Sequence, residues 1–109
     1  MKNGLIIDRY KTKRWYKDNL LHRENGPAIE WFTGDKDWYK NGIRHREDGP
    51  ALEIINGDKE WWQNGKLHRL DGPAIDQLNK YKFWYYQGKQ IDCSSQEEFE
   101  KIIKLKIFW

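Results

Sequence analysis

The sequence has little of what builds cross-links or membrane spans. It contains one cysteine, Cys93, so the chain has no second thiol with which to form an internal disulfide or a paired redox or metal site. This usage is typical of a reducing compartment, and we predict a cytoplasmic location, which is the host cytoplasm if the source is viral. The apolar run Leu5 to Ile7 is too short for a signal peptide or a membrane span. We therefore expect no targeting segment and no membrane insertion.

Aliphatic residues are also scarce, because much of the apolar content is aromatic. Apolar residues make up 38% of the chain, and the sequence holds 7 Trp, 6 Tyr and 4 Phe. Burial must therefore come largely from rings. A chain of 109 residues with no linker-like segment is the size of one domain, and we predict a single domain over residues 1–109.

The net charge of +3 is concentrated near the start of the chain. The first 21 residues hold six Lys or Arg against two Asp, whereas the remainder is close to neutral. A basic segment of this kind attracts phosphate groups or acidic proteins, and it is also common on ordinary solvated surfaces. Binding of a nucleotide or a nucleic acid is one hypothesis that the sequence leaves open.

A repeated unit of constant length is the main feature of the sequence. Its marker is a tryptophan that recurs at one fixed interval without a gap, at Trp15, Trp38, Trp61 and Trp84. Aligned on these residues, the chain divides into a half unit at 1–14, repeats at 15–37, 38–60 and 61–83, and a partial repeat at 84–93.

Turn residues divide each repeat into short segments. The pair Asn41-Gly42 and its equivalents favour tight turns with positive φ, and two further breaks follow at Asp48-Gly49-Pro50 and Asn56-Gly57-Asp58. The segments between the breaks are rich in β-branched and aromatic residues and are too short for helices. We therefore predict a mainly β fold, an antiparallel meander of repeated 23-residue β-hairpins in a single sheet.

The end of the chain predicts one helix. Residues Ser95 to Glu98 fit a capping box, and Phe99, Ile102 and Ile103 share one helical face. We predict an α-helix over residues 95–105 that caps the sheet, because repeat arrays need a closing element.

The pattern W-Y-x-N-G-x-x-H-R-x-D-G-P-A, clearest from Trp38 to Ala74, resembles the MORN-variant repeats of the YwqK-type antitoxin-like family. Such repeats also occur in bacteriophage and giant-virus proteins. The resemblance covers Trp15 to Gln90 and implies a MORN-like single sheet, with roles in protein assembly or membrane association rather than catalysis. Ordinary MORN units carry a glycine-rich pattern where this chain has H-R-x-D-G-P-A, so their lipid binding is not carried over.

Histidine and arginine repeat together, at His22-Arg23, His45-Arg46 and His68-Arg69. Equivalent strands of such a meander lie about 9.5 Å apart, whereas nitrogens that share a zinc ion lie about 2 Å from it. We expect no metal, no cofactor and no catalytic residue. Two interpretations stay open. The pairs brace the turn that follows them through Asn25, Asp48 or Asp71, or they form a ladder that binds an anion such as a nucleotide, a nucleic-acid backbone or a lipid phosphate.

Two further sets of side chains repeat at the same interval. Trp38, Trp61 and Trp84 either pack into the core or offer platforms on which a base or a partner stacks. The acids Glu30, Glu53 and Asp76 are too widely spaced for a catalytic pair. We expect them to pair with strand neighbours such as Lys40 or Lys59.

These features together predict a non-enzymatic repeat scaffold that acts as a protein-interaction module. The resemblance adds the more specific hypothesis of a phage-type or antitoxin-like inhibitor of a host protein. The candidate binding residues are the three His-Arg pairs with Trp38, Trp61 and Trp84, and the alternative function is anion binding at the His-Arg positions. Edge strands at Leu5 and Trp84 can pair between copies, so a homo-oligomer is a further hypothesis.

Overall fold

A computed structural model describes residues 1–105, which hold fourteen β-strands and one α-helix. The last four residues of the predicted domain, 106–109, lie outside the described residues. The antiparallel meander and the C-terminal helix are both confirmed. The described part measures 47 × 31 × 18 Å, as expected for strands that succeed one another along one direction.

Most strands are only two residues long, because turn residues recur at such short intervals. In chain order the strands are β1 Gly4–Ile7, β2 Lys13–Lys17, β3 Leu20–Leu21, β4 Ile29–Glu30, β5 Lys36–Asp37, β6 Tyr39–Lys40, β7 Ile43–Arg44, β8 Leu52–Glu53, β9 Lys59–Glu60, β10 Trp62–Gln63, β11 Lys66–Leu67, β12 Ile75–Asp76, β13 Lys82–Tyr86 and β14 Lys89–Ile91.

Ten of these strands form one main sheet, in the order β1-β2-β4-β5-β8-β9-β12-β13-β14 with β3 paired to β2. The pairs β6-β7 and β10-β11 form separate two-stranded sheets, and β2-β3 and β13-β14 form the equivalent hairpins at the two ends of the array; we call these four the projecting hairpins. The repeats at 15–37, 38–60 and 61–83 therefore each contribute to two rows of hairpins. One row is the main sheet, and the other is the row of projecting hairpins that the Asn-Gly turns close.

The leading tryptophan of each repeat is the point where the two rows separate. The Trp38 N–H donates to the Ala51 carbonyl in the main sheet at 2.7 Å, while the Trp38 carbonyl accepts from the His45 N–H in the projecting hairpin at 3.1 Å. Trp61 makes the same two bonds one repeat later, with Ala74 and His68. The two halves of one extended segment thus belong to different hairpins.

The projecting hairpins stack on one another through their turns. Asn41 and Gly42 both have positive φ, of 50° and 79°, as the sequence predicts for a two-residue turn. A Cβ on Gly42 would lie 3.2 Å from the Leu20 side chain of the preceding repeat. The Gly42 N–H also donates to the Leu21 carbonyl at 2.8 Å. Glycine therefore provides both the turn conformation and the room for the preceding hairpin.

The helix α1, Gln96–Leu105, closes the array as predicted. The Ser95 hydroxyl accepts from the Glu98 N–H at 3.1 Å, and the Glu98 carboxylate accepts from the Ser94 N–H at 3.2 Å, a close variant of the capping box. Phe99 is fully buried against Trp84 and Ile91. This cluster of apolar side chains ties the helix to the last hairpin.

Candidate functional site

The arginine of each His-Arg pair lies over the leading tryptophan of its own repeat. We call these three contacts the arginine stacks. The distances from the guanidinium carbon to the ring centroid are 3.7 Å for Arg23 on Trp15, 3.9 Å for Arg46 on Trp38 and 3.6 Å for Arg69 on Trp61. Stacking of this kind contributes about 0.5–2 kcal/mol. One face of each of these rings is therefore occupied within the repeat.

The nitrogens of each stacked arginine are bonded within the loop that follows. Arg46 donates from Nη1 to the Pro50 carbonyl at 3.0 Å and to the Glu53 carboxylate at 2.8 Å, and from Nε to Asp48 at 3.0 Å. The hydrogen bond from Arg46 is the main cause that lowers the pKa of Asp48, and Arg69 lowers that of Asp71 in the same way. These contacts support the bracing interpretation of the arginines over the anion ladder.

A glycine completes each arginine stack. A Cβ added to Gly49 would lie 2.9 Å from the Arg46 guanidinium carbon, and one added to Gly72 would lie 2.6 Å from that of Arg69. Neither glycine is among the positive-φ residues. The sequence suggests turn chemistry for these glycines, whereas the structure shows that a side chain there would have to displace the guanidinium from its position over the tryptophan.

The histidines join each repeat to the next one. His45 Nδ1 accepts from the Asn64 N–H at 2.9 Å, and the same bond joins His22 to Asn41 and His68 to Gln87. Since Nδ1 accepts, the proton of the neutral ring lies on Nε2. The expectation that each His or Arg braces the turn following it covers only part of the histidine's role. His22 Nε2 contacts Glu24 of its own loop at 2.6 Å, while Nδ1 reaches the Asn-Gly turn of the following repeat.

The first turn has no histidine before it, and Asn3 takes that role. The Asn3 side-chain oxygen accepts from the Asp18 N–H at 3.0 Å, and the Lys2 carbonyl accepts from the Asn19 N–H at 2.9 Å. Asp18 and Asn19 stand one full repeat before Asn41 and Gly42. Sequence analysis missed Asn3, because its role shows only after the repeat is aligned in space.

Of the repeated acids, Asp76 pairs with a strand neighbour as predicted, whereas Glu30 and Glu53 pair with arginines instead. Glu30 and Glu53 bond Arg23 and Arg46 at 2.9 and 2.8 Å, and Asp76 bonds Lys82. Lys40 lies beside Glu24 instead, at 3.4 Å. Glu30 and Glu53 pair with arginines because the loop after each projecting hairpin folds the arginine back, so that its Nη1 reaches the carboxylate seven residues ahead.

The predicted tryptophan sites divide into two kinds. Trp38 and Trp61 are half-buried, each with an arginine on one ring face. Trp84 is only 8% exposed, and its indole N–H donates to the Gln96 side chain at 2.8 Å. The helix thus covers Trp84 in the place that an arginine occupies in the full repeats.

Two equivalent grooves lie beside the arginine stacks, with volumes of about 650 and 660 Å³. Each lining residue of the second groove stands one repeat after a residue that lines the first, as for Trp61 after Trp38 and His68 after His45. The rim carries exposed carboxylates, with the side chains of Glu47 and Asp48 exposed by 85% and 87%. These grooves are less suited to an anion than the sequence alone suggests.

A row of exposed apolar side chains lies in successive turns of the main sheet, at the ends of strands β4, β8 and β12. Phe32, Ile55 and Leu78, which we call the turn row, stand at the same position of successive repeats and are exposed by 65%, 73% and 55%. Sequence analysis did not single them out, although the alignment on the tryptophans places three large apolar residues beside the same turn.

Within residues 1–105, no group of three or more histidine, cysteine or carboxylate side chains is placed to hold a metal ion. The helix in this part of the chain is neither long nor apolar enough to cross a membrane. Burial raises the pKa of the Cys93 thiol, and the nearby Glu98 charge adds to the effect, so the thiol is held in its less nucleophilic form.

Comparison with models of known protein families, with curated proteins and with solved structures finds no match for this chain. The resemblance to MORN-variant repeats therefore stays a prediction that rests on the pattern of residues.

Proposed function

We propose that this chain is a non-enzymatic repeat scaffold that binds a protein partner through the turn row. The observation that carries the proposal is the exposure of Phe32, Ile55 and Leu78 at equivalent positions. Equivalent turns in the sheet lie about 9.5 Å apart, so the three side chains form a regular apolar line. Contiguous apolar surface of this kind is typical of protein contact sites.

The turn row is held in place by the repeat itself. The Asp35 carboxylate accepts from the Ile55 N–H at 2.8 Å, and the Asp58 carboxylate accepts from the Leu78 N–H at 2.9 Å. A Cβ on Gly34 would lie 2.7 Å from the Ile55 side chain, so this side chain rests directly on the preceding turn. A preorganised row loses little conformational entropy when a partner binds.

The charge around the turn row indicates the kind of partner. Lys36 and Lys59 begin the strands that leave the first two turns, and both are exposed. Since Asp35 and Asp58 precede these lysines in the same turns, the charge is balanced, and the row favours a protein segment with exposed apolar side chains rather than one of a particular charge. Inhibition of such a partner is the more specific form of the proposal that the resemblance implies.

The test compares two variants with the same number of exposed apolar residues removed. One carries Phe32→Ser and Ile55→Ser in the turn row, and the control carries Leu20→Ser and Ile43→Ser on the projecting hairpins, where the side chains are exposed by 47% and 48%. Each is immobilised beside the wild-type chain, and the proteins retained from a lysate are identified by mass spectrometry and then purified for titration.

We expect a protein that wild type and control bind with similar affinity and that the turn-row variant binds at least tenfold more weakly. Raising the salt concentration should change binding little, because each lysine of the row stands beside an aspartate. Equal binding by all three chains would contradict the proposal. Tight binding of nucleotides or nucleic acids that depends on Arg46 would instead favour the anion-binding alternative.

A further inference from the structure

β1 is the first strand of the main sheet, and its equivalents in the later repeats, β4, β8 and β12, each have a neighbouring strand on both sides. β1 stands one full repeat before β4, which gives Ile6 and Ile7 the positions of Ile29 and Glu30. In the interior, β4 lies between β2 and β5, and β8 lies between β5 and β9. In the part of the chain that the structure describes, β1 pairs only with β2, so one side of it is an open edge there.

At the other end of the sheet, the described residues provide no matching strand. Lys82 and Phe83 pair with Asp76 and Ile75 on one side, whereas β14 pairs only with residues 84–86 of β13. Their equivalents in the interior have partners on both sides, as Lys36 has in Glu30 and Glu53. A cavity of about 420 Å³ lies beside Lys82 and Phe83, where the next strand would stand.

Hydrogen-bonding groups of the backbone point outward at both edges. Asp8 and Thr12 are a hydrogen-bonded pair at 3.1 Å, as are Gln77 and Tyr81 at 3.0 Å. Antiparallel pairs alternate between bonded and non-bonded positions. The residues one step along, Ile7 and Lys82, therefore direct their N–H and C=O groups away from the strand they pair with and toward the open sides.

The side chains at the two edges differ from the interior in a consistent way. Ile7 stands where the full repeats have Glu30, Glu53 and Asp76, and Phe83 stands where they have Arg14, Asp37 and Glu60. Edge strands in soluble proteins usually carry extra charge, which prevents pairing with other chains. Here the interior strands carry the charges and the edge strands have apolar residues in their place.

We propose that β1 of one copy adds to the open side of β13 in a second copy and continues the main sheet from chain to chain. The register follows that of β5 and β8, so Ile7 lies opposite Lys82 and Ile6 lies opposite Phe83. Strands equivalent to β13 and β1 already lie side by side at three places within one chain, in the pairs β2-β4, β5-β8 and β9-β12. The contact is head to tail, because two different surfaces meet.

The test uses proline to block one end at a time. Ile7→Pro and Lys82→Pro each remove an N–H that points to the open side, so neither removes a backbone hydrogen bond of the chain's own sheet. Lys82→Pro also loses the side-chain bond to Asp76, so its fold is checked separately. The chains are measured by sedimentation velocity over a range of concentrations, and circular dichroism checks that each is folded. Ile7→Val, which keeps the N–H and the branched side chain, is the matched control.

Wild type and Ile7→Val should sediment with a mass that rises with concentration above the 13.3 kDa of one chain. Each proline variant alone should stay monomeric. An equal mixture of the two should form a dimer and nothing larger, because one variant keeps a working tail and the other a working head. Ile7→Lys, which sets an ammonium group opposite Lys82, should fail to associate in the same way as Ile7→Pro.

Two results would overturn the proposal. Wild type that remains monomeric up to millimolar concentration would show that the edges do not pair. Wild type that associates while the mixture of proline variants stays monomeric would show a different interface, such as two β1 strands paired with each other.

Discussion

A guanidinium held between a tryptophan ring and a glycine is the recurring contact at the scale of single residues. The Arg69 guanidinium carbon lies 3.6 Å from the Trp61 ring centroid. A Cβ added to Gly72 would lie only 2.6 Å from the same carbon. The arginine therefore fixes the loop after each projecting hairpin; we call this arrangement of tryptophan, arginine and glycine the wedge. Arg69 also donates hydrogen bonds to the Pro73 carbonyl and to Asp71, which hold the loop in place.

The first prediction concerns this wedge. Gly72→Ala should lower the free energy of unfolding by about 1–3 kcal/mol, because the new Cβ forces the guanidinium off Trp61. Gly26→Ala should cost less, since its Cβ would lie 3.2 Å from the Arg23 guanidinium carbon rather than 2.6 Å. Urea denaturation of both variants measures the difference.

A double-mutant cycle provides the control for the wedge. In an Arg69→Ala background, Gly72→Ala should cost little, because no guanidinium remains for the methyl group to displace. If the two costs simply add, the glycine is required for a reason other than its contact with the arginine.

The second prediction concerns His68, which accepts the Gln87 N–H at 2.8 Å and packs its edge against Tyr86. Burial lowers the pKa of His68 from its ordinary value of 6.5, so between the two values the unfolded chain binds more protons than the folded chain. The contribution of His68 is complete above pH 6.5 and is lost as the pH falls below it. Stability measured by denaturation from pH 7.5 to 5.5 should decrease.

His68→Asn supplies the comparison, because Asn3 already accepts the equivalent turn N–H in the first repeat through a group that does not titrate. The variant should keep much of the stability at neutral pH and show a weaker decrease in acid. An identical pH profile for the two chains would mean that other groups cause the decrease.

At the scale of elements, the projecting hairpins are too short to be stable by themselves. β6 and β7 hold two residues each, and isolated two-stranded hairpins are marginal even when longer. They persist because each turn rests on the preceding hairpin through Gly42 or its equivalents and is bonded by a histidine. The elements are therefore stabilised mainly by their neighbours in the array.

The third prediction concerns the closing helix. Ser95→Ala should cost about 1 kcal/mol of stability, because the Glu98 N–H loses its acceptor at the start of α1. Ser94→Ala is the matched control, since Ser94 contributes its backbone N–H rather than its hydroxyl to the cap. Thermal unfolding followed by circular dichroism should separate the two variants, and equal melting temperatures would contradict the role of Ser95.

At the scale of the whole molecule, the array is capped differently in its two rows. Asn3 and Lys2 cover the first projecting hairpin, and the helix covers the last one through Phe99. Within residues 1–105, the main sheet has no such cover at β1 or beside Lys82. The main sheet is therefore the row whose two ends are free to pair with a second copy.

Much of the fold could be predicted because the repeat acts locally. A pair such as Asn64-Gly65 sets its own turn, Ser95 caps its own helix, and the constant spacing of the tryptophans sets which side chains are equivalent. The partners of the site residues could not be predicted in the same way. Whether His45 bonds its own loop or the next turn depends on how two hairpins stack, which no local pattern encodes.

The sequence by itself determined the period, the β class, the turns and the closing helix, because each depends on residues that are close along the chain. Only the tertiary structure decided that the leading tryptophan of each full repeat is a branch point, that each stacked arginine lies between a ring and a glycine, and that apolar residues form the turn row. Those outcomes depend on contacts between segments that are far apart along the chain, whose geometry is set by how the repeats pack.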